Sequence, residues 1–351
     1  MTAAIEQHRP HWRRGRHNGF VLLYAGLAVT LLIVLFLSMA SGRYYVPLDQ
    51  VIAILISHIV DVGSDFKTSD QIVIDIVRAP RVLTAAIAGA GLATSGAVLQ
   101  GIFRNPLVGP QTIGVASGAA VGGVTAILFA GFGPLVQLSA FSGAALALLV
   151  VLLIARSDGL SPILNLVLAG VVVNAFCAAL VGLATYVADP ATKLPDIVFW
   201  LLGSFGASTW ERLWLIAAAT GIATTILFGM RWRINVLSLG DEEARTLGIN
   251  PSLDRFIALA AACLAISGQV AVSGTIGWVG LIIPNLARMV VGSDHRHLLP
   301  VSALAGAIFL ALADTIARSL TAAEIPVGII TAIVGTPVFA VLVRRSTGAR
   351  M

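Results

Sequence analysis

Between Arg104 and Arg156 the chain runs for fifty-one residues, 105–155, without one charged side chain. Soluble domains carry charge on about a quarter of their residues, so a gap of this length is foreign to them. One apolar helix needs about 20 residues to cross a bilayer. The stretch therefore holds two crossings, and it reverses at Gly131-Phe132-Gly133-Pro134. Similar runs recur along the 351 residues, of which 58% are hydrophobic and only 11% charged. The mean hydropathy is +0.94. Thirty-five glycines suit tightly packed membrane helices, where small residues let backbones approach. The chain reads as an all-α membrane protein.

The pattern predicts about ten spans, over 20–40, 82–103, 112–130, 135–155, 163–187, 213–229, 256–272, 276–291, 298–320 and 327–343. The first follows Arg9, Arg13, Arg14 and Arg16. Its twenty-one apolar residues exceed a signal-peptide core of about 7–15, so it reads as an uncleaved helix. An even count puts both termini on one side. Fifteen of the 22 basic residues fall on that side, and the positive-inside rule makes it the cytoplasm: N-in, C-in. The expected organisation is a cytoplasmic basic N-terminus (1–19), a single transmembrane domain (20–345) and a short cytoplasmic tail (346–351). Two segments lie off the membrane: 41–81 outside, where 51–59 reads as a short interfacial helix, and 231–255 inside. The net charge of +5 belongs to this topology and points to no nucleic-acid partner.

Several chemistries are missing. A phosphate-cradling loop of the Gly-x-x-x-x-Gly-Lys-Ser/Thr type needs its lysine. The chain has only Lys67 and Lys193, and neither follows a glycine. Any ATP and magnesium must sit on another chain. Ion-coupled carriers keep ionisable groups at mid-membrane. Here only Asp314 lies well inside a span, and Arg318, four residues on, shares its helix face as a neutralising partner. No nucleophile–base pair or metal-ligand cluster supports a membrane enzyme. Cys177 and Cys263 sit in apolar runs with no CxxC, as small buried hydrophobes do.

Four motifs remain. Arg78-Ala79-Pro80-Arg81 sets two arginines around a helix-starting proline at the outer end of the second span. Their planar forks suit carboxylates, or they anchor the helix among headgroups. Residues 239–248, Leu-Gly-Asp-Glu-Glu-Ala-Arg-Thr-Leu-Gly, read as a short cytoplasmic helix between glycines. Its acids come first and Arg245 late, in agreement with the helix dipole. Ala244, Leu247 and Gly248 form its expected docking face. Gly114, Gly118 and Gly122 form a close-packing stripe.

Taken together, the chain from about 78 to 345 resembles the permease subunits of type II ABC importers for iron–siderophores, haem and cobalamin. The markers are Arg78-Ala79-Pro80-Arg81, Ser95-Gly96-Ala97-Val98-Leu99-Gln100, Arg104-Asn105-Pro106-Leu107, Gly114-Val115-Ala116-Ser117-Gly118-Ala119, Trp200-Leu201-Leu202-Gly203-Ser204-Phe205, Gly277-Trp278-Val279-Gly280-Leu281-Ile282-Ile283-Pro284, Ala313-Asp314-Thr315-Ile316-Ala317-Arg318 and Glu324-Ile325-Pro326-Val327-Gly328. Val108, Gly109 and Asn285 depart from the family's usual residues.

The resemblance implies a ten-helix type II importer permease fold in a bacterial inner membrane and a permease dimer with a second copy or paralogue. It also implies two cytoplasmic ATPase subunits that carry the ATP and an extracytoplasmic binding protein. This chain itself binds no cofactor or metal. Arg78, Arg81 and Arg318 look like the docking residues for the binding protein. Gly240, Asp241, Glu242, Ala244, Arg245, Leu247 and Gly248 look like the segment that couples to the ATPases. The pathway is lined largely by the fifth and tenth helices, with an inner gate near Pro162, Ile163, Leu164 and Asn165. A ferric siderophore is the expected cargo, with haem or cobalamin as alternatives. Such a cargo is large and polar, and a dimer interface offers it a wide, mostly neutral cavity.

Overall fold

A computed structural model describes residues 12–60, 66–156, 162–321 and 323–348. The expected N-terminal stretch up to residue 11, Asp61, Asp65 and residues 349–351 of the expected tail lie outside the described residues. Fifteen α-helices and one π turn make up the described fold, and no strand occurs among these residues. In chain order the helices are α1 (Trp12–Ala40), α2 (Leu48–Ser57), α3 (Thr68–Ile72), α4 (Ala79–Ile102), α5 (Val115–Ala130), α6 (Pro134–Ala155), α7 (Pro162–Val187), α8 (Lys193–Leu202), α9 (Trp210–Gly229), α10 (Arg231–Leu237), α11 (Asp241–Thr246), α12 (Pro251–Ser273), α13 (Val279–Val291), α14 (His295–Ser319) and α15 (Val327–Gly348).

Each expected span meets a helix, but not all meet one of full length. Seven helices are long and apolar enough to cross a membrane: α1 from Gly19, the continuous Thr68–Ile102, α6, α7, α9, α12 and α14. Helix α5 has 16 residues and α13 has 13, while the apolar part of α15 is Val327–Leu342. At 1.5 Å per residue these fall short of a hydrocarbon core of about 30 Å. Helix α13 is short because glycines at φ 70 and φ 79, Gly274 and Gly292, bound its segment.

The helix carrying Arg78 and Arg81 begins at Thr68 instead of residue 82. Pro80 has no N–H to give the preceding turn. A π turn over Val73–Arg78 absorbs that loss, so the helix passes through the proline unbroken. Helix α8 matches no expected span. It is an amphipathic ten-residue piece that ends at Gly203, φ 76.

Helices α4, α12 and α14 form the centre. In the apolar window of Thr68–Ile102, 83% of residues are buried, against 6% in α1. Lipid gives apolar side chains no reason to cluster, so the centre depends on backbones that come close. A Cβ added at Gly89 of α4 would collide with the Gly306 carbonyl of α14, and one added at Gly306 would collide with the Gly89 carbonyl. Gly96 meets the Gly280 carbonyl of α13 in the same way. On α5, Gly118 and Gly122 do the packing that their spacing predicts, against Gly143 and Ser139 of α6. Gly114 stands before that helix, at φ 82, and faces α7.

Helix α1 lies at the edge and is fastened at both ends. Phe20 stacks on His297 with centroids 3.9 Å apart, and Tyr24 Oη pairs with His297 Nδ1 at 2.7 Å. At the other end Thr315 donates to Ser38 Oγ at 2.7 Å.

The backbone crossing at Gly306 has no room to relax. Gly306→Leu is expected to cost about 3 kcal/mol or more, the upper range for overpacking. The variant should show a depressed Tm and lost monodispersity in detergent, whereas Gly221→Ala, with open space around its Cβ, should leave both intact.

Candidate functional site

One end of the bundle gathers the expected docking arginines. The C-terminus of α1 leaves carbonyls without helical partners, and the negative end of its dipole falls there. Arg78 answers this by donating to the Met39 carbonyl at 2.6 Å, to that of Ala40 at 3.0 Å and to that of Tyr44. Arg318 donates to the Ser41 carbonyl at 2.6 Å and to that of Ser38. Gly42 fits where the two guanidinium groups leave no space for a Cβ. Arg81 uses its fork on carboxylates. Nε and Nη2 lie 3.0 and 2.9 Å from Asp314 Oδ1, and Nη1 reaches Glu324 at 2.9 Å.

Two expectations change. The three arginines do not point outward: Arg78, Arg81 and Arg318 are 5%, 6% and 5% exposed. Backbone carbonyls and buried acids hold them inside, so they are not free surface charges. Asp314 takes Arg81 of α4 as its bidentate partner. The expected pair with Arg318 is kept as an ion pair, Nε to Asp314 at 3.6 Å, without a hydrogen bond. Glu324, half exposed, is the member of the cluster most open to solvent. It stands within a recognisable motif, but only the fold shows that it shares Arg81 with Asp314.

The opposite end holds the expected coupling segment. Helix α11 is bracketed by Gly240 at φ 154 and Gly248 at φ 77. Asp241 sits between Arg255, whose Nη2 is 2.7 Å away, and Arg104 at 3.9 Å. Burial pushes its carboxyl up, but the Arg255 hydrogen bond and charge, with Arg104 and Arg245, outweigh that and hold it below the usual carboxylate range. The expected docking face is corrected at one position. Ala244 is fully buried, because the single turn of α11 packs its one small apolar side chain against the bundle. Leu247 is exposed, as are Leu239, Glu242 and Arg245.

Beside it, a network that sequence reasoning missed ties the Arg104–Pro110 loop to α13. Arg288 donates to Gln100 Oε1 at 2.9 Å and to Asn285 Oδ1 at 2.8 Å, and Asn285 Nδ2 donates to the Pro106 carbonyl at 3.0 Å. Asn285, a departure from the family pattern, thus anchors the loop.

The expected gate residues Pro162, Ile163, Leu164 and Asn165 begin α7. Asn165 Nδ2 faces the Ala155 carbonyl at the end of α6, at 3.4 Å. Helix α7 packs on α5 and α6, α15 packs on α13 and α14, and α8 touches both. Val171, Val172 and Phe176 of α7 and Ile333 and Val334 of α15 remain exposed.

Two outcomes follow from the buried charges. Asp314→Asn leaves Arg81 half-paired in a dry site and is expected to destabilise by about 3–5 kcal/mol. The loss, read as Tm in detergent, should be equal at low and high salt, since buried pairs are poorly screened. At the other end, a depressed carboxyl contributes stability above its unfolded pKa of about 3.9 and loses it as pH falls through the lower folded value. Hydrogen exchange at the Ala244 and Ile249 amides should therefore stay slow from neutral pH to about 5. It should quicken only in stronger acid, and in Asp241→Asn it should be fast throughout.

The model of the FecCD transport family matches residues 30–345. The molybdate import system permease protein MolB of Haemophilus influenzae is 45% identical over 321 residues, covering 91% of this chain and 94% of that one. The hemin transport system permease protein HmuU of Yersinia pestis is 42% identical over 282 residues, covering 78% and 84%. The Fe(3+)-citrate import system permease protein YfmE of Bacillus subtilis is 37% identical over 321 residues, covering 91% and 93%. A solved inward-facing ABC transporter assigned to the metal-chelate type superposes with a TM-score of 0.82 at 42% identity, covering 92% of this chain and 99% of that one. With two charged ends on a glycine-packed apolar bundle, and these relatives along nearly its whole length, the chain belongs to the FecCD transport family and is an integral membrane permease subunit of a type II ABC importer.

Proposed function

We propose that this permease forms the membrane path of an ATP-driven importer for a ferric siderophore in a bacterial inner membrane. Two cytoplasmic ATPase subunits supply the energy, and an extracytoplasmic binding protein delivers the ligand. The single observation that carries the cargo reading is the character of the open faces. Residues 162–187 of α7 and 327–343 of α15 contain no Asp, Glu, Lys, Arg or His, and both helices leave apolar residues uncovered. Opposed across a second copy or paralogue, such faces make a wide neutral passage. It suits a bulky chelate held weakly and released, with selectivity left to the binding protein.

All ten spans cross, with α5, α13 and α15 completing the seven long ones, and both termini lie in the cytoplasm. The inner gate is the Pro162–Asn165 turn. The binding protein docks at the end where Arg78, Arg81 and Arg318 gather. Buried as they are, these arginines act by holding that end in shape, and Glu324 meets the partner's charge. The ATPases grip the α11 end through Leu239 and Leu247, while Asp241, Arg255 and Arg104 carry the motion to α12 and the end of α4.

The 45% identity to a molybdate permease favours a second reading, an oxyanion cargo. Uptake in cells with and without the gene separates the two. The panel is radioactive iron on a set of siderophores, labelled haem, cobalamin and molybdate. Gene-dependent uptake of one ferric siderophore is expected. Gene-dependent uptake of molybdate alone would replace this reading with the second.

A further inference from the structure

At the arginine-rich end, α6, α8, α9 and α12 enclose a cavity of about 240 Å³. Its walls include three aromatic side chains, Phe132, Phe199 and Trp200, and the polar Gln137, Ser204 and Arg212. Arg212 is held in place by neutral acceptors. Its Nη1 donates to the Ala207 carbonyl at 2.9 Å, and with the Gln137 amide turned so that its nitrogen faces the Gly133 and Pro134 carbonyls, Nε donates to the Gln137 side-chain oxygen at 3.1 Å. Gln137 is fixed in turn by donating to the carbonyls of Gly133 and Pro134 at 2.8 and 3.0 Å. A guanidinium has five N–H groups, and these contacts use two of them. No carboxylate lies within ion-pair distance of Arg212 among the described residues, in contrast to Arg81, Arg233 and Arg255.

A half-buried cation oriented by neutral partners, in an aromatic-walled cavity, is an incomplete ion pair. Arg presents a fork that matches phosphate oxygens two at a time. The aromatic walls suit an apolar body attached to that phosphate. Position narrows the source. Phe132 and Phe199 are about half exposed at the opening, and Trp210 and Trp214 are exposed on the same helix as Arg212. Tryptophans of this kind collect at the membrane–water boundary. We propose that this cavity binds a phosphate monoanion on Arg212, supplied by the headgroup of an outer-leaflet phospholipid. The occupant braces α8, since Phe199 and Trp200 belong to α8 and Ser204, just beyond it, donates its N–H to the Ser273 carbonyl of α12 at 2.8 Å.

The test uses the full chain purified with its ATPase partners in detergent and read by native mass spectrometry. The probes are dioleoyl phosphatidylglycerol, dioleoylglycerol as the phosphate-free body, and inorganic phosphate. One saturable phosphatidylglycerol per chain is expected, with no saturable dioleoylglycerol. Arg212→Gln should raise the Kd about tenfold or more. Ala207→Phe keeps the guanidinium and its backbone acceptor while filling the cavity, and it should act likewise. It carries the test if Arg212→Gln fails to assemble. Saturable inorganic phosphate with the same dependence on both variants supports the site with a free anion as its source. Phosphatidylglycerol and phosphate binding unchanged in both variants, or dioleoylglycerol binding as tightly as phosphatidylglycerol, overturns the proposal.

Discussion

The structure depends on a few places where one backbone touches another. In lipid an apolar side chain gains nothing by leaving its surroundings, so the usual force that gathers helices is absent. Close approach takes its place. Gly89 against Gly306 and Gly96 against Gly280 put α4 in direct contact with α14 and α13. These contacts tolerate no added atom, and they determine where every other element can stand. The arginine cluster is one result: Arg81 reaches Asp314 because α4 and α14 lie backbone to backbone along their length.

Helix α4 also connects the two charged ends. It carries Arg81 near its start and Gln100 at its finish, with Arg78 just before it and Arg104 just after it. Twenty-four residues at 1.5 Å each make a rod of about 36 Å. Its arginine end is bound to α1, α14 and Glu324, and its opposite end to α11 and α13. Two partner proteins acting on opposite faces of a membrane would thus act on one packed element, whose only break in α-geometry is the π turn before Pro80.

Much of the fold was legible because hydrophobic length is an unambiguous signal. The charge-free 105–155 stretch became α5 and α6, with the reversal at Gly131–Pro134. The misreadings have physical causes. Pro80 looked like a helix start, since a sequence does not announce the π turn that lets a helix continue through it. Helix α8 was missed because ten amphipathic residues resemble a loop. Arg78 and Arg318 looked exposed because their acceptors are backbone carbonyls at and just past the end of α1, which leave no mark in side-chain spelling. Ala244 was assigned to the wrong side because a six-residue helix is too short for its periodicity to choose a face. The Gln137–Arg212 pair needed the fold to bring α6 and α9 together.

The fastening of α1 and Arg81 has a consequence for how the chain is made. Arg81 and Asp314 are separated by 233 residues, and Arg318 and Ser41 by 277. At ribosomal speeds of roughly 5–20 residues per second, the acid arrives some 10–50 s after the arginine. Through that interval the Ser38 and Ser41 carbonyls and the Arg81 guanidinium stand in or beside the bilayer without their α14 partners, positions that water and headgroups can serve but hydrocarbon cannot. The Arg81 and Arg318 contacts therefore close only once α14 is made, and a chain that stalls before α14 keeps that end hydrated and open. Such a chain carries its own mark of incompleteness.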